Sequence, residues 1–436
     1  MRAIRDLQLL GRTKSRAHKG RARRPAVEGL EQRSLLSAVH HAHHAMIHVS
    51  NHLAGKSSSE QHARVSISDH HGEKANSFQQ TNLVSDQAGV AQIQDTNLVN
   101  SWGVAFSSTS PFWVSDNMTG VSTLYRVAKD PMTNQDTVTK VPLTVSIPLP
   151  TGVMPPPPAA PTGIVHNGTS DFVVSQGTGT AKKSGPGIFI FSTEDGTISA
   201  WNPTVDPTHA ILAVDNSGAG AVYKGLAMAS SGGANFLYAS NIHDGTIDVF
   251  DTNFQPATQF SGKFQDAKIP AGYAPFNIDN LGGKLFVTYA KQNAAKDGDV
   301  PGQGHGFVDV FSTDGTLLQR LVQRGQLNSP WGLAIAPSDF GRFSGDLLVG
   351  NFGNGRINAY DATTGEFRGQ LKDATTEKPI VIDGLWALRF GNGAAAGATN
   401  ELFFSSGPGS ESHGLFGVLN FVAKAEDSND QGDNQS

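Results

Sequence analysis

Cysteine is absent from the 436 residues, which excludes disulfides, thiolate metal sites and a cysteine nucleophile together. No stretch reaches the run of about 18 apolar residues that a membrane span needs, so the body is expected to be soluble, with no transmembrane segment. Basic charge is scarce beyond residue 35. Residues 1–35 hold ten Lys/Arg and three Asp/Glu, net +7, leaving 23 basic and 35 acidic residues for the remainder, net −12. An acidic body whose repeats carry no basic stripe argues against nucleic-acid binding and makes the basic arm a targeting segment. Three catalytic signatures are missing as well: a nucleophile elbow, a His-Glu-x-x-His pair, and Ser, His and Asp at a supporting spacing.

Glycine, by contrast, is plentiful at 49 residues, and it leads a repeated pattern. In Gly245-Thr-Ile-Asp-Val-Phe250 an aliphatic residue stands two positions after the glycine, an apolar one at four and an aromatic at five. The pattern recurs from Gly196, Gly306 and Gly355, and in weaker form from Gly120 and Gly414. Alternation behind a turn glycine is the mark of a strand with one buried face, and six copies mean six units. Each unit opens with an inner strand containing a small residue; from Gly103 these follow at Gly163, Gly225, Asn277, Gly332 and Ala387. A second strand ends in a polar turn, the Gly-led strand is third, and a variable fourth follows.

Four short antiparallel strands repeated six times predict an all-β fold, a six-bladed β-propeller over residues 78–422. Blade two carries an extra strand or a folded insertion before Gly196. The last repeat stops after its third strand near Phe421, and Thr81-Asn-Leu-Val84 precedes blade one without a blade of its own. Those two segments are expected to pair and close the ring. Residues 1–75 show no sustained period and are expected to be disordered, as is the acidic tail 423–436. Ten of the fifteen histidines fall in 1–75, either as a metal-binding tract or as a polar linker.

On such a scaffold, loops entering the inner strands and loops between second and third strands share the channel face. That face gathers Asn100, Trp102, Trp331, Asp383 and Trp386 with Asp116, Asn117, Asn241, Asp244 and Asn351. Oxygen donors around a channel suit Ca²⁺, with Asp116, Asn241, Asn351 and Asp383 as candidate ligands. The other reading of the Asn and Asp residues is that they cap their own turns. Trp102 and Trp331 either fill space between blades or floor a ligand such as a sugar. The loop 291–304 contains Asp297 and Asp299, a second candidate cation pair. His243, beside Asp244, is the candidate acid–base residue, against a plain turn histidine.

Val27-Glu-Gly-Leu-Glu-Gln-Arg-Ser-Leu-Leu-Ser37 resembles the Leu-Glu-Pro-Arg-x-Leu-Leu motif of exported proteins in planctomycete-type bacteria, with Gln32 in place of proline. Asn82-Leu-Val-Ser-Asp-Gln87, Asn97-Leu-Val-Asn-Ser-Trp-Gly103, Phe112-Trp-Val-Ser-Asp-Asn117 and Asn328-Ser-Pro-Trp-Gly-Leu333, in that order, resemble a bacterial family of uncharacterised exported propellers. The resemblance implies a fold similar to NHL-repeat and TolB-like six-bladed propellers, at the cell surface or outside the cell, and brings no activity. Two readings follow. One is a monomeric binding scaffold for a protein or carbohydrate partner; the other is a calcium-dependent hydrolase, lactonase- or phosphotriesterase-like, with its metal in the channel.

Overall fold

The computed structural model describes residues 76–155 and 157–423. The segments expected to be disordered, 1–75 and the tail from 424, lie outside the described residues, as do the histidine tract and the export-like motif. What is described is a six-bladed β-propeller with helix only as four short 3-10 turns.

Blade one is Ser101–Ala105, Phe112–Asp116, Val121–Lys129 and Asp136–Ser146, joined in that order. Blades four and five repeat the plan, from Tyr273–Leu281 to Leu317–Gln323 and from Pro330–Ile335 to Phe367–Gln370. Blade two resolves the ambiguity in its sequence. Its own strands are Pro161–His166, Phe189–Thr193, Thr197–Trp201 and Ile211–Asp215, while Val173–Gln176 and Lys183–Pro186 pair only with each other as an inserted hairpin. The folded-insertion alternative is therefore the observed one.

Blade three departs from the expected four strands. It has only Tyr223–Ser231, Ala234–Asn241 and Thr246–Phe250. Where a fourth strand would lie, Pro256 lacks the N–H a ladder needs, and Phe254 and Phe264 adopt left-handed backbone at φ 61° and 57°. The segment folds inward instead, and Phe260 and Phe264 pack against Tyr238 at ring distances of 5.8 and 5.6 Å.

The ring closes as the sequence predicts. Phe78–Ser85 runs antiparallel to Leu415–Phe421, from Phe78 opposite Phe421 to Ser85 opposite Leu415, with a bulge between Asn82 and Val84. This first strand is thus the fourth of blade six, after Leu385–Phe390, Leu402–Ser406 and Leu415–Phe421. Each junction between neighbouring blades holds its own apolar cluster, as between blades two and three, where Tyr223, Leu226 and Phe250 meet Ile190 and Ile198.

The small residues of the inner strands have a steric cause. A Cβ on Gly103 would stand 2.3 Å from the Thr162 carbonyl oxygen, and one on Gly163 would stand 2.4 Å from the Leu226 nitrogen. Neighbouring inner strands meet backbone to backbone around the axis, and a backbone atom cannot swing aside as a side chain can. Gly163→Ala is therefore expected to destabilise the ring by about 2 kcal/mol, as overpacking typically does. A thermal midpoint unchanged in that variant would mean the blades can spread, contrary to this geometry.

Candidate functional site

The turns between second and third strands of blades two, four and six each send one carboxylate towards the axis: Glu194, Asp299 and Glu411. Between them stands Lys224, the second residue of blade three's inner strand, buried and ion-paired with Glu194. Its ammonium lies 5.1 Å from the Trp102 ring centroid, a cation–π arrangement. The Trp331 indole donates to the Lys224 carbonyl oxygen at 3.2 Å. Trp102 stacks on Trp386 at 3.5 Å, and Trp386 on Phe352 at 4.0 Å. Alternate blades thus supply acids, one blade supplies the base, and the indoles of blades one, five and six form the wall.

Two asparagines tie the cluster together. Asn100 donates to Glu411 Oε2 at 2.8 Å and to Asn117 Oδ1 at 3.2 Å, and accepts from Trp386 Nε1 at 3.0 Å. Asn117 donates to Glu194 Oε2 at 3.1 Å. Burial, reinforced by the charge of Glu194, pushes the Glu411 carboxyl up to about 7, against the pull of Lys224 and Asn100. Burial also raises Asp299, with the neighbouring Ser329 hydroxyl and the Lys224 charge opposing it. Asp299 and Glu411 nevertheless keep part of their surface open. Trp102 Nε1 is buried without a hydrogen-bond partner, while the buried Ser329 hydroxyl faces the Asp299 carboxylate. Asn100, Ser329, Ser410 and Glu411 all adopt left-handed backbone, at φ 50°, 48°, 58° and 67°. Such conformations cost non-glycine residues about 1–3 kcal/mol each and gather at functional sites.

Of the residues read from the sequence, Asn100, Trp102, Asn117, Trp331 and Trp386 meet at this point, and Asp299 joins them from the long loop. The candidate calcium ligands do not meet. Asp116 accepts from Thr123 Oγ1 at 2.7 Å inside blade one, where burial raises its carboxyl and Asp95 adds to the effect. Asn241 caps its own turn, accepting from the His243 backbone N–H at 3.2 Å and donating to Asp244 and Asp248. Asn351 accepts from the Asn328 backbone N–H and donates to the Gln326 carbonyl. These three hold the same blade position, the end of the second strand, and each is engaged by partners within its own blade. Asp383 accepts from the Gly409 N–H at 2.8 Å, in another loop. Asp297 is engaged by Asn293 at 2.7 Å, apart from Asp299. Among the described residues, no group of three or more His, Asp or Glu side chains is arranged to hold a metal ion.

Trp386 lies between Trp102 and Phe352, with a ring stacked on each, and the Trp102 ring carries the Lys224 ammonium. His243 is half-exposed in its turn, near Gly220. Elsewhere, a groove of about 560 Å³ beside the closing strand is lined by Lys129, Asp136 and Glu401, but these pair with one another at 2.9 and 2.5 Å. Sequence reading missed Glu194, Lys224 and Glu411. The available signal was a lysine inside the apolar inner strand Tyr223-Lys-Gly-Leu-Ala227, where the other blades place Trp, Phe or Thr.

Among the described residues, no helix is long and apolar enough to cross a membrane. No family model matches the chain. Among solved structures, a streptogramin B lyase is similar at TM-score 0.43 and 12% identity, covering 79% of this chain and 97% of that one. An α-L-arabinanase of Penicillium chrysogenum complexed with arabinobiose is similar at TM-score 0.44 and 13% identity, covering 78% and 97%. Two uncharacterised proteins of Acanthamoeba polyphaga mimivirus are far nearer in sequence. Protein R648 is 33% identical over 349 residues, 77% of this chain and 78% of its own. Protein L690 is 34% identical over 347 residues, 77% and 84%. As proteins of a giant virus, they lend no support to the planctomycete-type origin expected from the N-terminal motif. One third identity across more than three quarters of both partners shows that this chain belongs to the family of R648 and L690.

Proposed function

We propose that the protein is a binding propeller whose ligand seats at the channel mouth among Glu194, Lys224, Asp299 and Glu411. One observation carries this reading: side chains from all six blades converge on one point and leave the buried Trp102 Nε1 without a partner. A buried polar atom without a partner costs about 1–3 kcal/mol, so a cluster serving stability alone would pair it. The left-handed residues Asn100, Ser329 and Glu411 add strain at the same place. Export to the cell surface, supported by the motif at residues 27–37, would present this face to a protein or carbohydrate partner.

A calcium-dependent hydrolase would need carboxylates free to take the metal and an acid–base group beside it. Here the Lys224 ammonium is already paired with Glu194, and among the described residues no group of three or more His, Asp or Glu side chains is arranged to hold a metal ion. That favours the binding reading.

The test is thermal unfolding of the full chain against small molecules grouped by charge, and against Ca²⁺ after metal stripping. A ligand at 100 times its dissociation constant stabilises by about 2.7 kcal/mol. We expect one organic group to raise the midpoint, and Asn117→Ala to lose most of the rise. A rise with Ca²⁺ alone would favour the hydrolase, and no rise with any group would sink the channel site.

A further inference from the structure

We infer that the channel mouth selects a small organic cation: a protonated amine that also carries a hydrogen-bond-accepting oxygen. This rests on the binding reading above and names the ligand class. The charge balance points to it. Glu194 is matched by Lys224, whereas Glu411 and Asp299 have no cation of their own. Three carboxylates around one ammonium leave two negative charges in excess when all are ionised. A second ammonium entering the mouth would sit where a first is already stable, beside carboxylates and aromatic rings.

The polar atoms refine the class. The Asp299 carboxylate has the Ser329 hydroxyl beside it and no cation of its own, so it can accept from an ammonium N–H. Trp102 Nε1 is a donor without an acceptor, and Trp102 is 1% exposed with the Lys224 ammonium over its ring, so this N–H belongs to the same cluster. An indole N–H cannot accept, so the ligand must offer it an oxygen. Ser329, fully buried, holds the Asp299 carboxylate in place from the other side. Glu411 is the way in: Asn100 holds Oε2 and part of the side chain remains open. The groups that face it are Glu194, Asp299 and Lys224, and His413 on its own loop is tied to Asp86 at 2.9 Å.

An ionised Glu411 binds an ammonium better than a neutral one, so affinity should rise with pH across the region near 7, where this carboxyl titrates. The experiment is tryptophan fluorescence of the full chain, since Trp102, Trp331 and Trp386 are three of its five tryptophans. Ethanolamine, ethylene glycol and glycolate share a two-carbon frame with positive, zero and negative charge, and are titrated at constant ionic strength. We expect a saturable response to ethanolamine alone, stronger at pH 8 than at pH 6, and at least tenfold weaker in Glu411→Gln. Asp299→Asn, with its unfolding midpoint checked, serves as the second variant. Equal or stronger response to glycolate or ethylene glycol would overturn the cation inference while leaving the channel site standing. Ethanolamine binding unchanged in both variants would overturn the placement, and no response to any of the three probes would count against both readings.

Discussion

Replacing Phe78 and Leu83 together by alanine should abolish cooperative folding of the propeller. Both side chains lie on the closing strand, and both are fully buried. They serve different clusters. Phe78 packs against Phe340 at 4.8 Å in the core between blades five and six, whereas Leu83 belongs to the core that joins blade six to blade one. Five steps along the strand separate them by about 16 Å, so their effects should add. Phe→Ala typically costs about 3–5 kcal/mol and Leu→Ala about 2–5, giving roughly 5–10 together, against a total stability of about 5–15 for an ordinary domain. Urea unfolding followed by near- and far-ultraviolet dichroism measures this. A double variant with a single transition near the wild-type midpoint would show that the ring holds without this strand.

Lys224→Met should be nearly as damaging, for an electrostatic reason. The Lys224 and Glu194 side chains are 4% and 8% exposed, so their ion pair is a buried one. Removing one partner leaves a carboxylate in a site of low polarity, an effect of about 3–5 kcal/mol. The double variant Lys224→Met with Glu194→Gln should recover most of that loss, because a neutral amide needs no counterion and can still accept from Asn117. Denaturant midpoints of the four proteins give the coupling directly. Equal losses in the single and double variants would mean that the Lys224 ammonium over the Trp102 ring, and not the charge pair, is what matters.

The blades were legible because a strand behind a turn glycine writes its period into the sequence: Gly245-Thr-Ile-Asp-Val-Phe250 is one observed strand, Thr246–Phe250. Ring closure was legible by elimination, since a third strand at Leu415–Phe421 needed a partner and Phe78–Ser85 had none nearby. The missing fourth strand of blade three was not, because only the packing of Phe254, Phe260 and Phe264 shows that aromatic side chains have replaced it. Site residues divide in the same way. An indole such as Trp102 or Trp386 announces a buried position from any context. Glu194 and Glu411 lie in turns rich in Asp, Gly and Ser, where a carboxylate ordinarily faces water. Only the geometry of the closed ring turns those loops towards the axis. Conversely Asp116, Asn241 and Asn351 look like a converging set in one dimension, while at their equivalent positions each is bonded within its own blade, to the Thr123 hydroxyl, the His243 N–H and the Asn328 N–H.

The pairing of Phe78–Ser85 with Leu415–Phe421 also orders events in time. The Ser85 hydroxyl bonds the Gly414 carbonyl across 329 positions of chain, so this contact cannot exist until nearly the whole propeller has been synthesised. At about 5–20 residues per second, a ribosome exposes the closing strand for tens of seconds before its partner emerges. Through that interval the strand offers an unpaired edge bearing Phe78, Leu83 and Val84, the kind of edge that recruits other chains. The bulge between Asn82 and Val84 belongs to the pairing with Leu415–Phe421, so that interruption of the edge arrives only with the last strand.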